Sequence, residues 1–405
     1  MKKLLIILIS LFVTDGYTQV CTQTTYGNPM YIPINDLGAG VWNGFVGGLY
    51  PNGSNFIPSS HQSAGLQLAQ QIQPLDANGI PDMNNGKIGF ISIGMSNTTL
   101  EFSSFISLGM TDPLKNPKVK FADCAEGGMS VGNISNPSEI SYSHYWDTTV
   151  VNRLNNANLS AQQVQVIWYK EADIVGNSLP PPQVYSDSLI SGSKRIMNII
   201  KVKFPNAKIC YIASRIYAGY ATSNLNPEPY SYWQGWAMKW MIEDQINNDP
   251  LLQFSGANAN APWLCWGTYN WANGINPRSD GLTWDCPTDF NIDGTHPSTA
   301  GRLKVATKIL NFLGNDSLAC WYRLGGCSAI TSVNESDINL IHLYPNPTSN
   351  IINFSSSANE VSVFNIYGHK VLRKTNVDKI STLELVDGIY LIQINKDFHK
   401  IIVKH

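Results

Sequence analysis

The sequence predicts an α/β protein: a doubly wound, three-layer α/β/α parallel sheet followed by a small C-terminal antiparallel β-sandwich. Three observations predict it. First, apolar runs rich in β-branched residues recur at Lys87–Ile93, Val119–Ala122, Val164–Tyr169, Lys208–Ala213 and Pro262–Trp266, separated by segments with room for a helix. Strands buried on both faces read as continuous apolar runs, and helical crossovers between them make the sheet parallel. Second, the composition changes after Cys327: residues 329–337 are polar and aperiodic, and short alternating runs follow at Ile351–Phe354, Val361–Tyr367, Ile389–Ile394 and Lys400–Lys404. Third, the residues with chemical potential fall just past the apolar runs, where parallel sheets place their sites.

The ends of the chain are equally distinct. Lys2 and Lys3, an apolar core from Leu4 to Val13, and small or polar residues through Gln19 read as a cleavable signal peptide over residues 1–19, too short to span a bilayer. Gln19-Val20 before Cys21 lack the small residues of a lipid-attachment signal. The domains then read as a main domain over 20–328, a linker over 329–337 and a tail domain over 338–405. A chain of 405 residues with 43% hydrophobic residues can bury a substantial core. A formal charge of -2 without blocks of like charge argues against nucleic acid and against a charged membrane surface as partners, and no further run predicts a transmembrane helix.

Asp293-Gly294-Thr295-His296-Pro297, ahead of a helix predicted over Ser298–Leu313, sets a carboxylate and an imidazole three residues apart at a turn. The carboxylate can orient the ring, which is half of a hydrolytic site. The nucleophile to complete it is Ser96, where the run ending in Gly94-Met95-Ser96 passes from a strand into a helical pattern. The plainer reading of the Asp293 turn is an N-cap. Ser96 in the right order upstream favours Ser96, Asp293 and His296 as catalytic residues.

On these residues the chain resembles the SGNH (GDSL-like) hydrolases. Gly94-Met95-Ser96 stands for the first block, with Met95 and Asn97 at the family's Asp and Leu, and Asp293 to His296 match the last block, Asp-x-x-His. The resemblance implies a flavodoxin-like SGNH hydrolase fold and an oxyanion hole of the Ser96 and Gly128 amides, the latter from Asp123-Cys124-Ala125-Glu126-Gly127-Gly128. It implies a third oxyanion donor near Val166–Asp173, where Ala172 occupies the usual Asn position; Lys170 and Asn177 are the candidates. The tail resembles a type IX secretion C-terminal sorting domain through Tyr344-Pro345-Asn346-Pro347, Asp387-Gly388-Ile389-Tyr390 and the basic, apolar Lys400–Lys404. That implies the type IX machinery as partner and a secreted or cell-surface location.

Loops past the later strands offer substrate contacts. Asn97, Lys170, Glu171, Arg215, Tyr217, Trp271, Arg278 and Asp280 are the candidates. Trp266–Trp284, Gly- and Asn-rich with interspersed aromatics, reads either as a sugar-stacking platform with Arg278 as anion contact or as a structural loop. Lys170-Glu171 reads as a site pair or a salt bridge, and His61 as a substrate contact or a surface or capping residue. Glu228 and Lys239 join the loops past the fourth strand, and Trp233, Trp236 and Trp240 recur at core-packing spacing.

The seven cysteines of an exported chain suggest disulfides. Cys320–Cys327 closes a short loop, Cys265–Cys286 brackets the aromatic loop, Cys210 reads as a buried thiol, and Cys21 and Cys124 remain for each other. No metal spacing occurs and no cofactor is implied. These expectations converge on a secreted serine esterase acting on a carbohydrate or small ester substrate. A lipase or thioesterase, a peptidase, and a glycan-binding protein with a vestigial triad stand as alternatives.

Overall fold

The computed structural model describes residues 31–173, 180–329, 343–365, 369–394 and 397–405. The leader, Cys21, Asn177 and most of the linker lie outside them. The chain divides into two units, residues 1–330 and 331–405.

In the first unit, helix α1 (Ser59–Gln70) precedes strand β1 (Ile88–Gly94), helix α2 (Ser96–Thr111), strand β2 (Val119–Asp123), a short helix α3 (Val131–Ser135) and α4 (Val150–Asn156). Strand β3 (Val164–Lys170), helix α5 (Pro182–Lys203), β4 (Ile209–Ala213), α6 (Tyr230–Ile246), β5 (Trp263–Thr268) and α7 (Thr299–Asn315) follow. All five strands are parallel, in the order β2-β1-β3-β4-β5. This is the flavodoxin-like order, with its switch point between β1 and β3.

The layers follow from chirality. The crossover from β1 to β2 runs one way along the sheet and those from β3 to β4 and β4 to β5 the other, so right-handed connections place α2 and α5/α6 on opposite faces. Helix α7 packs with α2, whereas α5 packs with α6 and α3. Strands β1, β3 and β4 are buried at every residue, which explains their unbroken apolar character.

Helix α6 is buried almost all round, and the reason is an N-terminal extension laid over it. Trp42, in a two-residue ladder of Val41–Trp42 with Phe45–Val46, has its ring 5.2 Å from Trp233 and 5.8 Å from Trp236, and Phe45 lies 4.8 Å from Trp240. The tryptophans of α6 are therefore core.

The cysteines pair differently from expectation in two places. Cys320–Cys327 is a disulfide, but Cys265 is a buried free thiol within β5 and Cys124 a buried free thiol just past β2, while Cys286 is disulfide-bonded elsewhere. Bracketing a loop in sequence did not reveal that Cys265 points into the sheet's packing. Cys210 is free and buried.

The second unit is an antiparallel sheet around its own core of Ile352, Phe354, Val361, Val363, Ile392, Ile401 and Val403. Strands β6 (Ile351–Phe364), β7 (Lys370–Ser381), β8 (Gly388–Ile394) and β9 (Asp397–Val403) run in the order β7-β6-β8-β9, with Leu343–Tyr344 paired to β6. Sequence alternation missed β7, whose side chains are mostly exposed.

Candidate active site

The Ser96 side begins at a glycine whose place no larger residue fits. A Cβ on Gly94 would stand 2.2 Å from the Lys170 carbonyl oxygen and 2.3 Å from Thr98 Oγ1. Only Gly lets β1 end against β3 and turn into α2, whose first residue is Ser96. Ser96 thus stands at a helix N-terminus, where unpaired amides and the helix dipole favour negative charge.

The acid–base side is a turn built by its own carboxylate. Asp293 Oδ1 accepts from the amides of Thr295 at 3.1 Å and His296 at 3.0 Å, which leaves Oδ2 for His296 Nδ1. Partial burial pushes the Asp293 carboxyl up, but the bonds from the His296 ring and these two amides outweigh it and hold its pKa below the ordinary carboxylate value. With Nδ1 bonded to a carboxylate, the proton belongs on Nδ1, and Nε2 offers a lone pair to Ser96 Oγ at 2.8 Å. Gly294 has φ +63 and a Cβ there would meet the Tyr220 carbonyl oxygen at 1.8 Å, while the Thr222 amide donates to the Asp293 carbonyl at 3.0 Å. The turn is thereby fastened to the loop past β4.

Asn97 joins the two sides. It is buried, and its Nδ2 donates to the Thr295 carbonyl oxygen at 3.1 Å. It holds the turn rather than facing substrate. Gly127 stands beside Ser96: the Glu126 amide donates to the Gly94 carbonyl at 2.9 Å, and a Cβ on Gly127 would lie 3.6 Å from Ser96 Cβ. Gly128 has φ +83 and open space around its Cβ position. Gly127, which sequence reasoning passed over, approaches Ser96 more closely, and the doubled glycine was the available signal. Thr222 and Tyr220 were missed because they meet the turn about seventy residues away in sequence, Thr222 through its amide and its Oγ1 on the Asp293 carbonyl and Tyr220 through its own carbonyl.

The other candidates are occupied elsewhere. Lys170 is buried, and its Nζ, 2.6 and 2.5 Å from the two carboxylate oxygens of buried Glu101, spends two of its three protons on that ion pair. Asn177 lies outside the described residues. Glu171, Arg215, Tyr217 and Trp271 are all buried. Trp271 Nε1 donates to Glu228 at 2.7 Å, and Tyr217 packs edge-on against Trp271 and Tyr220. Arg278 grips Asp280 with Nε at 2.8 Å and Nη2 at 2.6 Å, and its Nη1 reaches the carbonyls of Tyr269 and Trp271, so this pair is a strut within the aromatic loop. That fork holds the Asp280 carboxyl far below its ordinary value. His61 is buried, with Nε2 on the Leu264 carbonyl at 2.8 Å and its ring stacked on Trp263. Lys239 pairs with Glu243 one turn along α6. Among the described residues, no cluster of His, Cys, Asp and Glu could hold a metal ion, and no helix is long and apolar enough to cross a membrane.

Comparison with known structures gives remote likenesses. A candidate acylhydrolase of Bacteroides fragilis shares 13% identity at a TM-score of 0.34, covering 65% of this chain and 100% of that one. An extracellular lipase of Streptomyces rimosus shares 12% at 0.26, covering 55% of this chain and 99% of the other. At such scores neither carries weight for fold or activity. No curated protein matches the chain. Residues 342–405 match the family of secretion system C-terminal sorting domains, so the chain ends in a type IX sorting domain and is exported to the cell surface.

Proposed function

We propose that this protein is an exported serine esterase of the SGNH type, with Ser96 as nucleophile, His296 as general base and Asp293 as the group that orients it. The observation that carries the reading is the hydrogen-bond chain from Ser96 Oγ through His296 to Asp293 across 200 residues of sequence. A serine hydroxyl is a weak nucleophile at neutral pH. His296 Nε2 would take its proton as Oγ attacks the ester carbonyl, and the Asp293 carboxylate would stabilise the imidazolium. The oxyanion of the tetrahedral intermediate would sit against the Ser96 amide and the Gly127-Gly128 amides; losing one such donor typically costs about a hundredfold or more in rate. His296 would return the proton to the departing alcohol, and water would release the acid from the acyl-Ser96.

For the substrate we propose an acyl ester, acetyl by preference, on a carbohydrate. A surface location and a low proportion of charged residues, 14%, are compatible with a polysaccharide target. Acid release from p-nitrophenyl acetate and from acetylated polysaccharides, compared between the wild-type protein and Ser96→Ala, tests both parts. Turnover that disappears in the variant supports the serine mechanism, and the better substrate identifies the acyl donor. Absence of turnover in the wild type, with polysaccharide binding retained, overturns the esterase in favour of a glycan-binding protein.

A further inference from the structure

Beside Ser96, the loop Glu126–Met129 is fixed along its backbone at both ends. The Glu126 amide bonds to Gly94 at the end of β1, and Ser130, the next residue, forms a capping box with Asn133. Between these points the two glycines have no side chains to anchor them. The one charged side chain of the loop, Glu126, is gripped by a single helical segment: Thr149 Oγ1 donates to Oε2 at 2.6 Å, and His144 Nε2 lies 3.3 Å from Oε1.

The segment is unusual. His144–Thr149 is π-helical, flanked by α-helical Ile140–Ser143 and α4. In an α-helix, residues five apart point about 140° away from each other. With hydrogen bonds running from i to i+5, they stack on one face. The π geometry is thus what lets His144 and Thr149 share one carboxylate. Its inner side is set in the core: Tyr145 and Trp146 are buried, and Trp146 Nε1 donates to the Ile134 carbonyl at 2.8 Å. Lys203 holds Asp147 from outside at 2.6 Å. A helix so anchored is a rigid base for a clamp.

We propose that Glu126 is a positioning residue, and that the His144–Glu126–Thr149 clamp holds the Gly127-Gly128 amides at the distance from Ser96 that oxyanion stabilisation requires. The inference rests on Ser96 being the nucleophile. The clamp acts on the transition state rather than on substrate binding, so its loss lowers kcat and leaves KM nearly unchanged.

The test uses the full chain with Glu126→Ala, Thr149→Val, Thr149→Ser and His144→Ala. Two readouts are taken: p-nitrophenyl acetate kinetics, and amide deuterium exchange of the peptide spanning Gly127–Met129. Glu126→Ala is expected to lower kcat about 10- to 100-fold with KM within about threefold, and to speed exchange in the loop. Thr149→Val and His144→Ala fall between it and the wild type, and Thr149→Ser, which keeps the donor, restores wild-type values. A kcat within about twofold of wild type in Glu126→Ala overturns the proposal, as does a fall in kcat with unchanged loop exchange, which would mean direct contact with substrate. If the wild type hydrolyses no ester, the esterase reading fails by itself. Exchange then still decides the clamp, which is overturned if Glu126→Ala leaves the loop as protected as before.

Discussion

Two groups of polar side chains stand past the carboxyl ends of the same parallel strands, and solvent treats them in opposite ways. His296 and Asp293 keep 23% and 36% of their side-chain surface exposed and stand in line with Ser96. Lys170, Glu171, Arg215 and Glu228 are between 0 and 5% exposed; Lys170 pairs with Glu101, and Glu171 and Glu228 accept from the amides of Ala172 and Ala218. In sequence the two groups look alike. The difference is the next layer: Glu101 on α2 covers Lys170, while α6 lies against the other three, with Gln234 bonded to the Glu171 carbonyl at 3.1 Å and the Arg215 amide at 2.9 Å and the Tyr232 amide to Glu228 at 3.0 Å. A charge past a strand end is a site residue only where nothing covers it.

The sharpest way to break this contrast is to remove one member from each group. His296→Ala is expected to lower esterase turnover about a thousandfold or more while leaving the melting temperature within a few degrees, because the ring is partly exposed and its loss leaves no buried charge. Circular dichroism melts beside the kinetics check it, and a parallel loss of fold would sink the contrast. Glu101→Ala should do the reverse. It strands the Lys170 ammonium in the core, a cost of about 3–5 kcal/mol, whereas the double replacement Glu101→Leu with Lys170→Met should recover most of that stability in a urea titration.

Next in size is a pH effect. Burial raises the Glu228 carboxyl to about 7, against the hydrogen bonds from the Ala218 amide, the Trp271 indole and the Tyr232 amide. Because the folded value exceeds the unfolded one, the stability linked to this proton is fully present below the ordinary value of 4.5 and is lost as pH rises through about 7. The change is on the order of 3 kcal/mol at most. Melting temperature should therefore decline across that window, and less steeply in Glu228→Gln. An unchanged slope would remove Glu228 as the cause. The smallest effect is that of Arg278→Lys, which gives up the fork to Asp280. It should cost about 1 kcal/mol of stability and leave KM alone; a raised KM would return Arg278 to the substrate side.

What could be read from the sequence follows from the range of each signal. Strands β1 to β5 were legible because burial on both faces makes each an apolar run by itself, and observed limits differ from the expected ones by a residue or two. Asp293 and His296 were legible as a pair because three residues separate them. Partners far apart were not. Glu101 lies in mid-helix, 69 residues before Lys170, and nothing in either neighbourhood announces the other. Thr149 and His144 meet Glu126 only because of a π-helical turn that no local composition signals. Cys320–Cys327 and the buried Cys210 thiol were read correctly, whereas Cys265–Cys286 took proximity in sequence for proximity in space and Cys21–Cys124 was only the remainder; Cys265 and Cys124 are thiols packed in the core.

The fastening of the Asp293 turn to Tyr220 and Thr222 bears on how such a protein could diversify. The excursion between β4 and α6 packs against the turn that carries the imidazole so closely that a side chain at position 294 would run into the Tyr220 carbonyl. For the proposed esterase, new substrate preferences would then arise elsewhere on the rim, and grafting a foreign β4–α6 loop would sacrifice turnover before it altered selectivity.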